Sequence, residues 1–134
     1  MKTVMKSSSY KSKHHTGAPQ SSNNRCIIFS FQHIHEKYCI TKCETKEQIS
    51  FLEKVKRLGK LTWQDCRDAG NKHGLGYEKI KTINVAIPQS LLDKHDITFI
   101  AFRFFDRKPM VGYREKEIFH IIWFDRDFDV YNHG

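Results

Sequence analysis

The chain has 134 residues and a formal charge of +8, with 39% of its residues hydrophobic and 28% charged. That length suits one domain, or one domain and a tail, with enough chain to bury a core without disulfide staples. No run of 18 apolar residues is present to form a transmembrane helix, and no apolar segment near the N-terminus marks a secretory signal.

The charge is unevenly spread. Residues 1–25 hold Lys2, Lys6, Lys11, Lys13 and Arg25 and no acid, a contribution of +5; the other 109 residues hold 18 basic and 15 acidic groups, a net +3. Residues 1–25 are rich in Ser, Lys and Asn and contain too little apolar surface to offset the entropy of ordering. They read as a disordered basic tail, with a single domain over 26–134. Such a tail either solubilises the chain or serves as a basic arm for phosphates or a partner. Without a secretory signal, Cys26, Cys39, Cys43 and Cys66 are expected as free thiols in a reducing cytoplasm.

CIIFSFQHIH (26–35) predicts a first strand, and KYCITKC (37–43) a short second strand paired with it. Thr45 as N-cap and Gln48 three residues on suggest a capping box, which opens a helix over Thr45–Leu58. Ile49, Phe51, Leu52, Val55 and Leu58 would form its apolar stripe, and Gly59 its end. A second helix is expected from Thr62, with Asp65 completing the cap, to Gly70. Residues 71–80 contain two glycines and no periodicity and read as a loop, and TINVAIP (82–88) reads as a strand ended by Pro88.

Residues 97–131 then alternate as an antiparallel meander. Period two puts Phe99, Ala101, Arg103 and Phe105 on one face and Thr98, Ile100, Phe102 and Phe104 on the other. DRKP (106–109) and DRD (125–127) carry turn chemistry, and Asp125, Asp127 and Asp129 are expected to be solvated there. The predicted class is α+β: two N-terminal helices packed on an antiparallel sheet.

Arg103, Arg114 and His120 fall on three successive strands. A charged side chain in an apolar strand needs solvent, a partner or a ligand. Arginine suits phosphate because its planar fork donates two hydrogen bonds at once, and histidine exchanges protons near neutral pH. The alternative is that the arginines pair with acids across strands and His120 is half-buried. Tyr131 and His133 follow the last strand and bring a phenol and an imidazole to the same end. Lys72 and His73, beside the loop glycines, and Arg107 and Lys108, in the DRKP turn, are further candidates for binding RNA. His33, His35, Cys39 and Cys43 present four possible zinc ligands, but their spacing lacks the usual Cys-x2-Cys knuckle. No nucleophile elbow, phosphate-binding glycine loop, zinc-protease helix or dinucleotide fingerprint occurs, and no cofactor is expected.

The order of helical pair, loop and meander, together with F-R103-F-F, M-V-G-Y-R114, I-F-H-I-I-W-F-D and Tyr131, resembles the RelE-type toxins of bacterial toxin–antitoxin systems. The resemblance covers roughly Thr45 to His133. It implies a small basic endoribonuclease that cleaves mRNA, commonly on the ribosome, and is held by a cognate antitoxin protein in the cytoplasm. It also implies that Arg103 and Arg114 bind phosphate at the scissile bond, and that His120, Tyr131 or His133 transfers or orients a proton. The competing expectation is a non-catalytic module of a phage or mobile element that binds nucleic acid or protein through the same sheet.

Overall fold

A computed structural model describes residues 21–94 and 96–132. Most of the expected tail, and His133, lie outside the described residues. Residues 21–25, assigned to the tail above, contain a short 3-10 helix at Ser22–Asn24, capped by the Ser21 side chain.

The fold is α+β. In chain order it contains β1 (Ile28–Ser30), α1 (Thr45–Leu58), α2 (Trp63–Ala69), β2 (Glu78–Ile80), β3 (Phe99–Phe105), β4 (Lys108–Glu115) and β5 (Ile118–Phe124). The strands form one sheet in the order β1-β5-β4-β3-β2. The three long strands are the expected meander. The sheet is mixed rather than purely antiparallel, because β1 runs parallel to β5. A parallel partner needs a long connection, and here α1, α2 and most of the chain supply it.

Three sequence expectations are corrected. Residues 37–43 form two 3-10 turns, Glu36–Tyr38 and Ile40–Lys42, instead of a strand. Residues 82–88 are irregular: Ile83, Val85 and Ile87 alternate inward onto a core cluster, as a strand would, but without ladder partners. The strand that pairs at this edge of the sheet is instead β2, antiparallel to β3, within the stretch read as a loop. It has only three residues, too few for period two to show.

Both helices lie where capping chemistry places them. The α1 cap is shifted by one residue, with Glu44 at the N-cap and Glu47 at N3. The residues buried on α1 are Glu47, Phe51 and Leu58, whereas Ile49 and Leu52, expected in its apolar stripe, are exposed. Thr62 and Asp65 cap α2 as expected.

The sheet is buried on both faces. On the helix side Phe51, Leu58, Trp63 and Cys66 pack against Ile100, Phe102, Phe104, Phe119 and Ile121. On the other face Ala101, Val111, Tyr113, Ile122 and Trp123 are covered by Tyr38, Leu91, Val130 and Tyr131. A bulge between Val111 and Gly112 lets Ile122 and Trp123 share one face. This division of β3 matches the period-two reading of residues 99–104.

Candidate nucleic-acid interface

β2 pairs with β3 only as far as Ala101, so the end of β3 needs another neighbour. The loop before β2 supplies it, since the Arg103 N–H donates to the Leu75 carbonyl at 2.9 Å. Two α1 side chains hold that loop: Lys54 Nζ donates to the Gly74 carbonyl at 2.6 Å, and Arg57 to the His73 carbonyl at 2.5 Å. The result is a cleft of about 190 Å³ whose lining includes Gly76, Glu78, Arg103, Arg107, Phe128 and Tyr131.

The chain after β5 delivers two of these walls. Asp125, which is fully buried, accepts hydrogen bonds from the Asp129 N–H at 2.9 Å and the Val130 N–H at 3.2 Å. It therefore ties the turn that carries Tyr131, rather than presenting a solvated carboxylate as expected. The Tyr131 hydroxyl donates to Glu78 Oε1 at 3.3 Å. Burial, and then the Glu78 carboxylate, push the Tyr131 pKa up, so its hydroxyl stays protonated at neutral pH. Phe128 holds a left-handed φ of 59° and is 43% exposed at the rim. A bulky residue in that region is costly, and such strain gathers at functional sites.

Among the described residues, neither Arg103 nor Arg107 has a carboxylate within ion-pair distance. Two guanidinium groups therefore share a small cleft with one carboxylate and one phenol. That set can bind a phosphate, accept a proton and hold a hydrogen-bond donor beside it.

The structure thus brings together Arg103, Arg107 and Tyr131, but it separates Arg114 and His120 from them. Arg114 points to the helix side. Its guanidinium lies 4.5 Å from the Trp63 ring centre, and it donates to the Lys116 carbonyl at 2.6 Å and to Ser22 Oγ at 2.8 Å. There it lines a second cleft of about 270 Å³ with Arg67, Tyr77, Lys79 and Asp96. Burial lowers its pKa, as does the charge of Arg67.

His120 is on the Arg103 face but near the opposite end of the sheet. It pairs with Tyr113, which pairs with Phe99, four residues or about 13 Å along β3 from Arg103. It is buried and stacked on Tyr113 with ring centres 4.7 Å apart. Its Nδ1 lies 3.2 Å from Ser30 Oγ and its Nε2 3.1 Å from Glu115 Oε1. The His33 ring is 5.2 Å away and bonds Ser90 Oγ at 2.8 Å.

Lys108 is taken up in an ion pair with the buried Glu47 at 2.5 Å. Lys72 and His73 are exposed on the loop that carries Gly76 and do not line the Arg103 cleft. The four possible zinc ligands do not converge: His33 engages Ser90, the His35 side chain accepts from the Lys37 N–H, and burial pushes the Cys43 thiol up to about 11. Among the described residues no three His, Cys, Asp or Glu side chains gather as a metal site.

Sequence reasoning missed Glu78 and Phe128. The signals were faint: Glu78 alternates with Ile80 in a short Glu-Lys-Ile-Lys run, and Phe128 is a lone aromatic in an acidic turn. In comparison with known proteins, the chain matches no family model, and no curated protein or solved structure is significantly similar to it.

Proposed function

We propose that the protein is a RelE-like ribonuclease that binds single-stranded RNA in the Arg103–Arg107 cleft. One observation carries the reading: three residues nominated by their chemistry, Arg103, Arg107 and Tyr131, meet in one cleft beside a carboxylate, Glu78. The Glu78 carboxylate takes the proton from a ribose 2′-hydroxyl, and the 2′-oxygen attacks the adjacent phosphorus. The bond from phosphorus to the 5′-oxygen breaks, leaving a 2′,3′-cyclic phosphate, and the departing 5′-oxygen takes its proton from water. Arg103 and Arg107 neutralise the charge that builds on the phosphoryl oxygens, the role arginine plays best. Tyr131, kept protonated, donates to Glu78 and so orients the carboxylate. His120 lies too far away to take part. The partners that go with this reading are mRNA, free or on the ribosome, and an antitoxin protein.

The test is cleavage of single-stranded RNA, with and without ribosomes, beside a growth assay on induced expression. Wild type should yield 2′,3′-cyclic phosphate ends and arrest growth. Glu78→Gln should lose about 10²–10⁴-fold in rate while still binding RNA, as expected of a general base. Arg103→Ala and Arg107→Ala should lose both binding and cleavage. A wild type that binds RNA, cleaves none and leaves growth unaffected is a binding module instead.

A further inference from the structure

The Arg103 cleft is open at one side. Glu78 and Tyr131 also line a neighbouring depression of about 200 Å³ over the outer edge of β2, together with Lys79 and Lys81. Lys79 in turn lines the 270 Å³ cleft that holds Arg67 and Arg114. Three depressions are therefore joined through shared walls. β2 is the outermost strand of the sheet, and among the described residues no further strand covers its edge. Successive side chains of a strand point to opposite faces. Glu78 thus serves the Arg103 cleft and Lys79 the Arg114 cleft, and the path between them turns around the rim of the sheet.

The charges along this path are lopsided. Arg103, Arg107, Lys81, Lys79, Arg67 and Arg114 line it against only two acids, Glu78 and Asp96. Like charges gathered in one groove repel each other unless an anion joins them. Arg114 is also held rigid by Trp63, Ser22 Oγ and the Lys116 carbonyl, so little side-chain entropy is left to lose on binding. A nucleic-acid duplex is stiff over about 150 base pairs and cannot fold around the edge of one strand. A flexible single strand can.

We propose that one strand of RNA crosses the outer edge of β2, with Arg67, Lys79 and Arg114 gripping phosphates of the same strand that enters the Arg103 cleft. The inference rests on the ribonuclease reading of that cleft and adds an extended substrate with a binding track remote from the cut. Phosphate contacts are blind to the sugar, so 2′-deoxy oligonucleotides, which lack the attacking hydroxyl, bind the track without being cleaved.

The experiment measures binding of the full chain to single-stranded oligodeoxynucleotides of about 4 to 16 nucleotides, the span of typical single-strand sites. Affinity should climb with length. Arg67 and Lys79 are exposed, so Arg67→Ala/Lys79→Ala should fold normally, which the thermal melt checks. The double variant should lose roughly tenfold in affinity for the longest oligonucleotide and nothing for the shortest. It should also flatten the slope of log affinity against log salt by about 1.4, at about 0.7 per phosphate contact. If affinity is independent of length, if the double variant binds like wild type, or if a blunt duplex binds as tightly, the track is wrong. Loss of binding in Arg103→Ala/Arg107→Ala would then leave the cleft reading standing. If wild type binds no single strand, both readings fall.

Discussion

A methyl group on Gly76 would lie 2.4 Å from the Cγ of Arg103, and Gly76 itself holds a left-handed φ of +65°. The arginine that defines the cleft thus lies flat across a glycine that no other residue can replace without movement. Gly76→Ala should displace Arg103 and cost about 1–3 kcal/mol, since strain and overlap act together. RNA affinity should fall as it does in Arg103→Ala, and a crystal structure or binding isotherm of the variant checks this. Wild-type affinity in Gly76→Ala would show that the position of Arg103 is irrelevant.

Phe128 offers a test with two readouts. Its left-handed backbone is strained, and its ring is half-exposed beside Arg103 and Tyr131. Phe128→Gly relieves the strain while losing some packing, so stability should stay within about 1 kcal/mol of wild type. Loss of a stacking platform should weaken single-strand binding by about 1–3 kcal/mol. Denaturant titration and oligonucleotide binding give the two numbers. A large loss of stability with unchanged binding would make Phe128 a structural residue.

Lys108 and Glu47 tie β4 to the start of α1. Burial alone would raise the Glu47 pKa. The hydrogen bonds from Lys108 and the Glu44 N–H, with the Lys108 charge, outweigh it and leave the carboxyl below its ordinary value of 4.5. A depressed carboxyl stabilises the fold above 4.5, and that stability is lost as pH falls through the folded value. Lys108→Met leaves Glu47 buried and unpaired. It should cost about 2–3 kcal/mol, less than for a fully buried pair because Lys108 is 28% exposed. The variant should also lose the share of the acid-limb dependence that comes from Glu47, as read by urea unfolding at about pH 3 to 7. Its RNA binding should be unaffected.

Buried His33 makes stability depend on pH at a higher range. Burial, and then the charges of His120 and Lys94, lower the His33 pKa from 6.5, while Glu115 opposes them. The unfolded chain therefore takes up the proton first. Stability is full above 6.5 and declines as pH falls below it, because protonation favours the unfolded state. The melting temperature should drop between about pH 6.5 and 5. In His33→Gln, where the side chain can still bond Ser90, that drop should shrink. An unchanged profile would place the titration elsewhere.

Local chemistry determined the helices and the three long strands. Capping pairs sit three residues apart in sequence, and period two operates within one strand, so α1, α2 and β3 to β5 are legible without any tertiary contact. The same alternation put Arg103 with Ala101 and apart from Phe102. It could not relate Arg103 to Arg114, because that depends on the β3–β4 register. Arg103 faces Pro109, the pairing then shifts, and Phe105 faces Lys108; a slip of one residue would move Arg114 to the other face. The partner of β1 was equally hidden, since Ser30 meets His120 only after most of the chain has folded between them. The cleft itself belongs wholly to tertiary structure. Glu78 and Tyr131 are 53 positions apart, and what joins them is the buried Asp125 carboxylate holding a turn, a packing event that no spacing in the sequence records.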